Sequence, residues 1–440
     1  CYGRSFPRVV TGVVHAIAPA AVALHGRDRR RIVLSPLLTF ADRAVGRSGP
    51  MAGAGGPSAG SMGGARPEGP DRETGFSGSG WWAYARDSDD PRGIMQPRLR
   101  FLPISIFSVI LGLSGYSIAS QRVFAGQGWS AAVPAALLYL TSALYVVLAA
   151  LYIIKTVRHP DAVAGEFRHP VMISFFPTLS ISLLLLAVGF AEVSATVSLA
   201  LWVVGAVSNL LLTLVVLSVW IRHTHFEIAH FSPAWFIPVV GNLIVPIAGV
   251  QHAPADVSWL FFAVGLVFAV VLLVIFFYRM IFHQPLHDRH LPTLFIVIAP
   301  PAVAAITYVK LTGSFDPFAR ILYYLAVFFA VFLLSQVRMF ARIRFYLSWW
   351  AYTFPMAALT IATFLVGKET GALFYRDAAT VLWAGLSVLV AGLVARTLAA
   401  VARHEICLPD EAARGGGSPA EGSPETADEP VVDARSRRLA

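Results

Sequence analysis

The feature that most constrains this chain is a series of apolar runs, each about 20 residues long, between Phe101 and Val401. A helix of that length spans the hydrocarbon core of a bilayer, which is about 30 Å thick. In lipid the backbone N–H and C=O groups must be bonded within the protein, and a helix does this locally. Only 13% of the residues are charged, whereas soluble domains carry about 25%. The sequence therefore predicts an all-α membrane protein.

Ten runs qualify as transmembrane helices, here called spans 1 to 10. Their predicted limits are 101–120, 131–154, 172–193, 196–220, 233–252, 258–281, 292–311, 318–337, 348–366 and 377–402. Lys and Arg accumulate in cytoplasmic loops. With the N-terminus inside, thirteen such residues lie on the cytoplasmic side. The five on the opposite side are Arg122, Lys310, Arg320, Lys368 and Arg376.

This charge asymmetry predicts that both termini are cytoplasmic. It also accounts for the net charge of +9 without a nucleic-acid partner. We expect the protein to lie in the bacterial inner membrane, in contact with the lipid bilayer.

The two ends of the chain differ from this apolar middle. Residues 1–97 and 404–440 are rich in polar residues, Gly and Pro, and lack sustained periodicity. Such segments cannot bury enough apolar surface to offset chain entropy, so we predict disorder in both. Residues 98–403 are then the transmembrane domain. Part of 1–97 is a candidate mis-called extension, with Met51, Met62 or Met95 as alternative starts.

Prolines recur in the odd-numbered spans and are almost absent from the even-numbered ones. Proline removes a backbone donor and frees the carbonyl four residues earlier, which in lipid must be satisfied by protein or water. The alternation predicts five hairpins, each a kinked inner helix followed by a straight outer one, around a central pore. Prolines also bend helices that are simply packed together. The predicted kink or pore-lining residues are Phe101, Pro103, Phe176, Pro177, Phe236, Pro238, Pro246, Pro300, Pro301 and Pro355.

The chemistry expected of this pathway is that of a neutral conduit. Hydroxyl residues lie along the odd spans, and no Asp, Glu, Lys or Arg lies near the middle of any span. Carriers coupled to protons or sodium usually hold ionisable residues there, so we predict passive flow. Hydroxyls and helix dipoles, with an Arg-rich cytoplasmic mouth, suit small anions better than cations.

Four segments resemble one family, that of slow anion channels and tellurite-resistance (TehA-like) dicarboxylate transporters. They are Phe101–Gly115, Arg168–Pro170, Phe231–Asn242 and Ser348–Met356, and the last, SWWAYTFPM, is the most specific. The resemblance covers about residues 98–403. It implies ten helices in five hairpins, a homotrimer and no enzyme activity. It also implies passage of chloride and nitrate, or export of dicarboxylate, sulfite or tellurite, and does not select among these.

The same resemblance implies that a phenylalanine on the ninth span occludes the pore, and by motif this is Phe354. A ring at a narrow point closes a path by bulk and by excluding water. An aromatic on an inner helix can equally be a packing residue, so the gate is a hypothesis.

Clustered loop histidines support a rival hypothesis, a membrane di-iron oxidase. His223, His225 and His230 lie in one predicted cytoplasmic loop, and His283, His287 and His290 in another. Imidazole is a good iron ligand, but such enzymes need about eight histidines, and Pro285 interrupts the second cluster. Solvated loop histidines explain the pattern as well. We therefore predict no cofactor and no metal site; the two cysteines, Cys1 and Cys407, lie in the tails.

Overall fold

The fold is that of a computed structural model, which describes residues 98–222, 227–340 and 342–403. Over these residues the protein is helical and contains no strand. The predictions of disorder for 1–97 and 404–440 fall outside the described residues.

Ten helices within the described residues are long and apolar enough to cross a membrane, which confirms the predicted number. Span 1 extends past its predicted end because the polar residues that follow Ser120 bond to the end of span 3 and to the turn after it. Gln121 donates a hydrogen bond to Gly189 O over 3.2 Å, and Arg122 forms an ion pair with Glu192. The bounds are Ile104–Gln127, Ala132–Arg158, Met172–Phe190, Ala195–Arg222, Pro233–His252, Ala255–Phe282, Asp288–Thr312, Pro317–Ser335, Leu347–Thr370 and Leu373–Ala402.

The spans form five hairpins, each joined by a turn of a few residues. Three of these turns contain a glycine with φ of 70°, a left-handed conformation that ends a helix at little cost for glycine. These glycines are Gly128, Gly313 and Gly371. We call the side of the bundle where the hairpins turn the hairpin side. The opposite side, where successive hairpins are connected, is the linker side.

The five odd spans form a closed ring. Span 1 packs against spans 3 and 9, span 5 against spans 3 and 7, and span 7 against span 9. Each even span lies in the groove between its own hairpin partner and the next odd span, and span 10 completes the series against spans 9 and 1. In the most apolar stretch of each span, 67–83% of the residues are buried in the odd spans and 17–39% in the even ones. The predicted separation into inner and outer helices is therefore confirmed.

Each odd span changes helix type along its length. It begins on the linker side as a 3-10 helix and continues as an α-helix. Pro177 immediately precedes an α-helical segment, and Pro238, Pro300, Pro301 and Pro355 lie in the first turn of theirs. The N–H groups of a first turn have no partner within the helix, so proline is tolerated there.

We expected proline to kink a continuous α-helix at these positions. The structure shows instead that the backbone changes there from a 3-10 helix to an α-helix. Pro103 lies just before the 3-10 helix of span 1, and Phe101 ends a separate 3-10 turn. Of the predicted set, only Pro246 lies beyond the first turn of an α-helix.

A largely buried ion pair joins span 2 to a short linker helix, Pro160–Arg168, and hydrogen bonds from this pair reach the start of span 1. Lys155, which is 1% exposed, approaches Glu166 to 3.0 Å and donates a second hydrogen bond to Leu102 O over 2.7 Å. The Glu166 carboxylate also accepts a hydrogen bond from Ile104 N over 3.3 Å. Removing one partner of a buried pair typically costs about 3–5 kcal/mol, so this contact fixes where span 1 begins.

Spans 1 and 9 approach each other closely at a glycine. A Cβ added to Gly112 would lie 2.0 Å from Thr353 Oγ1 and 3.0 Å from Trp350 Cε3. This absence of a side chain sets the separation between span 1 and the helix that carries Phe354.

We expect Gly112→Ala to destabilise the protein by about 1–3 kcal/mol, the usual cost of overpacking. The measurement is thermal unfolding of the detergent-solubilised protein. Gly385→Ala on span 10 is the matched control, because its Cβ would meet nothing within 4 Å, and replacing a helical glycine there should stabilise by about 0.5–1 kcal/mol. Equal melting temperatures for the two variants would contradict the close approach of spans 1 and 9.

Candidate functional site

Two cavities lie along the axis of the ring, and every odd span contributes to both. The hairpin-side cavity has a volume of about 130 Å³, and the linker-side cavity about 40 Å³. The first is lined by residues such as Ile118, Leu185, Ile244, Val303 and Ile361, one from each odd span. The ring of helices therefore encloses a discontinuous path along its centre.

Phe354 is the residue between the two cavities, because it lines both of them. It belongs to the first turn of the α-helical segment Thr353–Thr370, immediately before Pro355. On the adjacent span 1 it lies beside Gly115, where an added Cβ would lie 3.4 Å from Phe354 Cδ2 and 3.0 Å from Ala357 Cβ. A glycine at this position therefore allows span 1 to pack closely against the helix that carries Phe354.

The structure separates Phe354 from the other aromatic residues predicted to line the pore. Phe236 is fully buried and packs edge-on against Phe276 of span 6, with ring centroids 6.3 Å apart. Phe176 packs against Tyr152 of span 2, at 6.5 Å. In the linker-side cavity the lining residue from this part of span 3 is its neighbour Phe175.

Of the prolines in the predicted set, only Pro355 belongs to the lining of either cavity. Phe101 and Pro103 lie at the linker-side start of span 1 and are half-buried. The others lie in the wall of the ring, where their side chains are buried among helices: Pro177, Pro238, Pro246, Pro300 and Pro301.

The expectation of a hydroxyl-lined path is corrected by the structure, because most of those hydroxyls turn toward backbone carbonyls. Thr353 donates to Trp350 O over 2.7 Å, Thr360 to Met356 O over 2.8 Å, and Ser182 to Thr178 O over 2.7 Å. In a helix such bonds satisfy the hydroxyl within its own chain. Ser108 is the one hydroxyl residue in the lining of either cavity.

The charge of the path is concentrated at its hairpin-side end. Arg122, Lys310 and Lys368, from spans 1, 7 and 9, line the hairpin-side cavity, whose other lining residues are apolar. No Asp or Glu belongs to the described lining of either cavity. These three cations are among the five basic residues that the charge asymmetry predicts to lie on the side opposite the cytoplasm. We did not predict that they converge, because the spans that carry them are far apart in the chain.

One carboxylate lies beside this basic end without lining the cavity. Glu192, in the turn between spans 3 and 4, forms an ion pair with Arg122. The hydrogen bond from Arg122 and the positive charges of Arg122, Lys310 and Lys368 lower the pKa of Glu192 below its usual range. The carboxylate is therefore ionised at neutral pH.

The loop histidines proposed as iron ligands do not form a metal site in the part of the chain that the structure describes. His223 and His225 lie outside the described residues. No group of three or more His, Cys, Asp or Glu side chains within them is placed to hold a metal ion. His230 and His287 instead accept local backbone hydrogen bonds, from Glu227 N and Arg289 N.

A closed ring of helical hairpins around an axial path with a basic end defines a multi-pass membrane protein of the channel and transporter class. The sequence profile of the voltage-dependent anion channel family, SLAC1, matches residues 102–398. The chain belongs to this family, which confirms the resemblance seen in the sequence.

Individual relatives come from plants, archaea and bacteria. The S-type anion channel SLAH3 of Arabidopsis thaliana is 29% identical over 312 residues, which are 69% of this chain and 49% of the plant protein. An uncharacterized transporter of Methanocaldococcus jannaschii is 26% identical over 53% of this chain and 76% of its own. The tellurite resistance protein TehA homolog of Haemophilus influenzae is 24% identical over 59% of this chain and 79% of its own. The match thus spans about half the length of the plant channel.

The lining of the path can be tested by chemical accessibility on neighbouring residues of span 5. Both side chains are buried within the bundle, but Ile244 lines the hairpin-side cavity, whereas Leu243 packs where span 6 approaches at Gly265. After Cys1 and Cys407 are replaced by Ser, we expect Ile244→Cys to react with a small water-soluble thiol reagent and Leu243→Cys to stay unmodified. Mass spectrometry of the labelled protein measures both. Labelling of Leu243→Cys at the same rate would contradict the assigned path.

Proposed function

We propose that this protein is a passive conduit for small anions, chloride and nitrate above all. The observation that carries the proposal is the charge of the path, since the residues described in its lining include three cations and no carboxylate. Fixed positive charge at the mouth of a narrow path raises the local concentration of anions and repels cations.

Passive flow, rather than coupled transport, is supported by the middle of the path. Its lining between the basic end and the linker-side cavity is apolar, with residues such as Leu185, Val303 and Ala358. Coupling to protons or sodium requires groups that bind those ions, and such groups in membrane proteins are typically ionisable residues in the interior. An apolar constriction instead controls flow by its width and by its wetting.

A second candidate function is export of a larger anion, namely a dicarboxylate, sulfite or tellurite. The similarity to the tellurite resistance protein TehA homolog favours this alternative. The same basic end would attract each of these anions, so charge alone does not separate the two candidates. Family membership also supports a transport role over an enzymatic one, such as the di-iron oxidase.

We further propose that the hairpin side faces outward and that both termini are cytoplasmic, as the charge asymmetry of the loops predicts. The bacterial inner membrane is the proposed location. The exposed apolar faces of the even spans suit contact with lipid and with other subunits, and a homotrimer is the proposed assembly. Spans 2 and 10 bury the smallest fraction of their apolar stretches, 17% and 22%, and are the candidate subunit contacts.

The proposed function is tested by flux from liposomes that contain the purified full chain. We expect chloride and nitrate to flow under a voltage alone, without a pH gradient, because the path contains no buried proton carrier. Malate, sulfite and tellurite, measured in parallel, distinguish the conduit from the exporter. A strict requirement for a proton gradient would rule out passive flow, and flux of the larger anions alone would favour the exporter.

Phe354 is the proposed gate. Its side chain lies between the two cavities and has few rotatable bonds, so rotation about χ1 that moves the ring off the axis would join the cavities. A phenyl ring at a constriction also keeps water out. The closed state would therefore depend on the bulk of one side chain.

We expect Phe354→Ala to increase anion currents several-fold at unchanged protein levels, with weaker discrimination among anions. Currents in membrane patches and quantified surface protein are the two measurements. Phe236→Ala is the matched control, because Phe236 is a buried phenylalanine of an odd span outside the path. Its truncation should cost about 3–5 kcal/mol and lower protein level and current together. Unchanged or lost current in folded Phe354→Ala would argue against the gate.

A further inference from the structure

Glu192 lies beside the three basic residues that line the hairpin-side cavity. It is paired directly with Arg122, and the charges of Lys310 and Lys368 also stabilise its ionised form. These are the three cations that line the hairpin-side cavity. A carboxylate of the chain therefore shares the cations that an anion would meet first on this side of the path.

The contact between Glu192 and Arg122 is well exposed. The Glu192 side chain retains 65% of its accessible surface and the Arg122 side chain 27%. Ion pairs in such positions contribute about 0–1 kcal/mol because water and salt screen them. An anion arriving from solution is thus able to displace the carboxylate, which a buried pair would not permit.

The covalent attachment of Glu192 makes it an effective competitor in spite of that weak contact. A group held on the same chain is present at an effective concentration in the millimolar range or above, whatever the solution contains. The concentration of a dissolved anion must exceed this effective concentration before the anion displaces the Glu192 carboxylate from the cations. The position of Glu192 in a turn beside the cavity, rather than in its lining, leaves the path itself open.

From these contacts we propose that Glu192 is a built-in counter-ion of the hairpin-side mouth, which competes with permeating anions for Arg122, Lys310 and Lys368. It sets how much external anion is needed to fill the mouth. This inference rests on the proposed function, because it assigns a specificity-determining residue to the same path.

The competition is tested with Glu192→Gln, using chloride as the probe in outside-out membrane patches from cells that express the full chain. The substitution keeps the shape of the side chain and removes its charge. We expect the chloride concentration that half-saturates the inward anion flux to fall about threefold at low ionic strength, since one unit charge a few ångströms from the ion is removed. The effect should shrink at high salt, where screening shortens the range of the charge.

Glu369→Gln is the matched control, since Glu369 is exposed and interacts with Lys310 but does not line the cavity. It removes the same charge from the same side and should change the half-saturating concentration less. Glu192→Asp keeps the charge and should behave like the unmodified protein. An equal effect of both glutamine variants, or none for Glu192→Gln, would overturn the competition. Absence of anion current in the unmodified protein would instead contradict the proposed function.

Discussion

The need to satisfy every backbone polar group within lipid is the constraint on which this structure depends. A helix meets it locally along its length, but the linker-side ends of the odd spans change from 3-10 to α-helix, and proline removes donors there. These irregular segments are tolerated because they lie inside the bundle, where other helices surround them. The even spans, which are regular over their whole length, cover the ring and face the lipid. One rule thus decides which helices form the path and which shield it.

Much of this architecture could be predicted from the sequence because the responsible signals are local. The length of each apolar run fixes the number of spans, and proline alternation separates inner from outer helices. The motif around Phe354 identified the residue that the structure places between the two cavities. What the alternation could not give was the direction of each side chain. Phe236 and Phe176 stand beside prolines as Phe354 does, yet they pack against outer helices, since a rotation of a helix by one residue turns a side chain out of the path.

The electrostatics of the path were the least predictable part, because they arise from residues distant in the chain. Arg122, Lys310 and Lys368 each looked like an isolated charge near the end of a span, and only closure of the ring brings them to one cavity. Lys155 was counted as a loop cation in the topology argument. It lies instead in the last turn of span 2, where it is buried against Glu166 of the linker helix and donates a hydrogen bond to Leu102 O before span 1. Charge counts establish which side of a membrane a residue occupies, and they carry no information about its partner.

The closed ring also places the first and last spans of the chain side by side. Span 10 packs against span 1 as each other even span packs against the next odd span. The first and last spans therefore occupy neighbouring positions, and both described ends, Arg98 and Arg403, emerge on the linker side. The packing of the fifth hairpin against the first therefore repeats that between the other hairpins, although the linker helix Pro160–Arg168 adds contacts between the first hairpin and the second. A circular permutant, with span 10 joined to span 1 and the chain opened at a linker other than that helix, would keep the packing of the spans in the ring, so the ring does not depend on which hairpin is synthesised first.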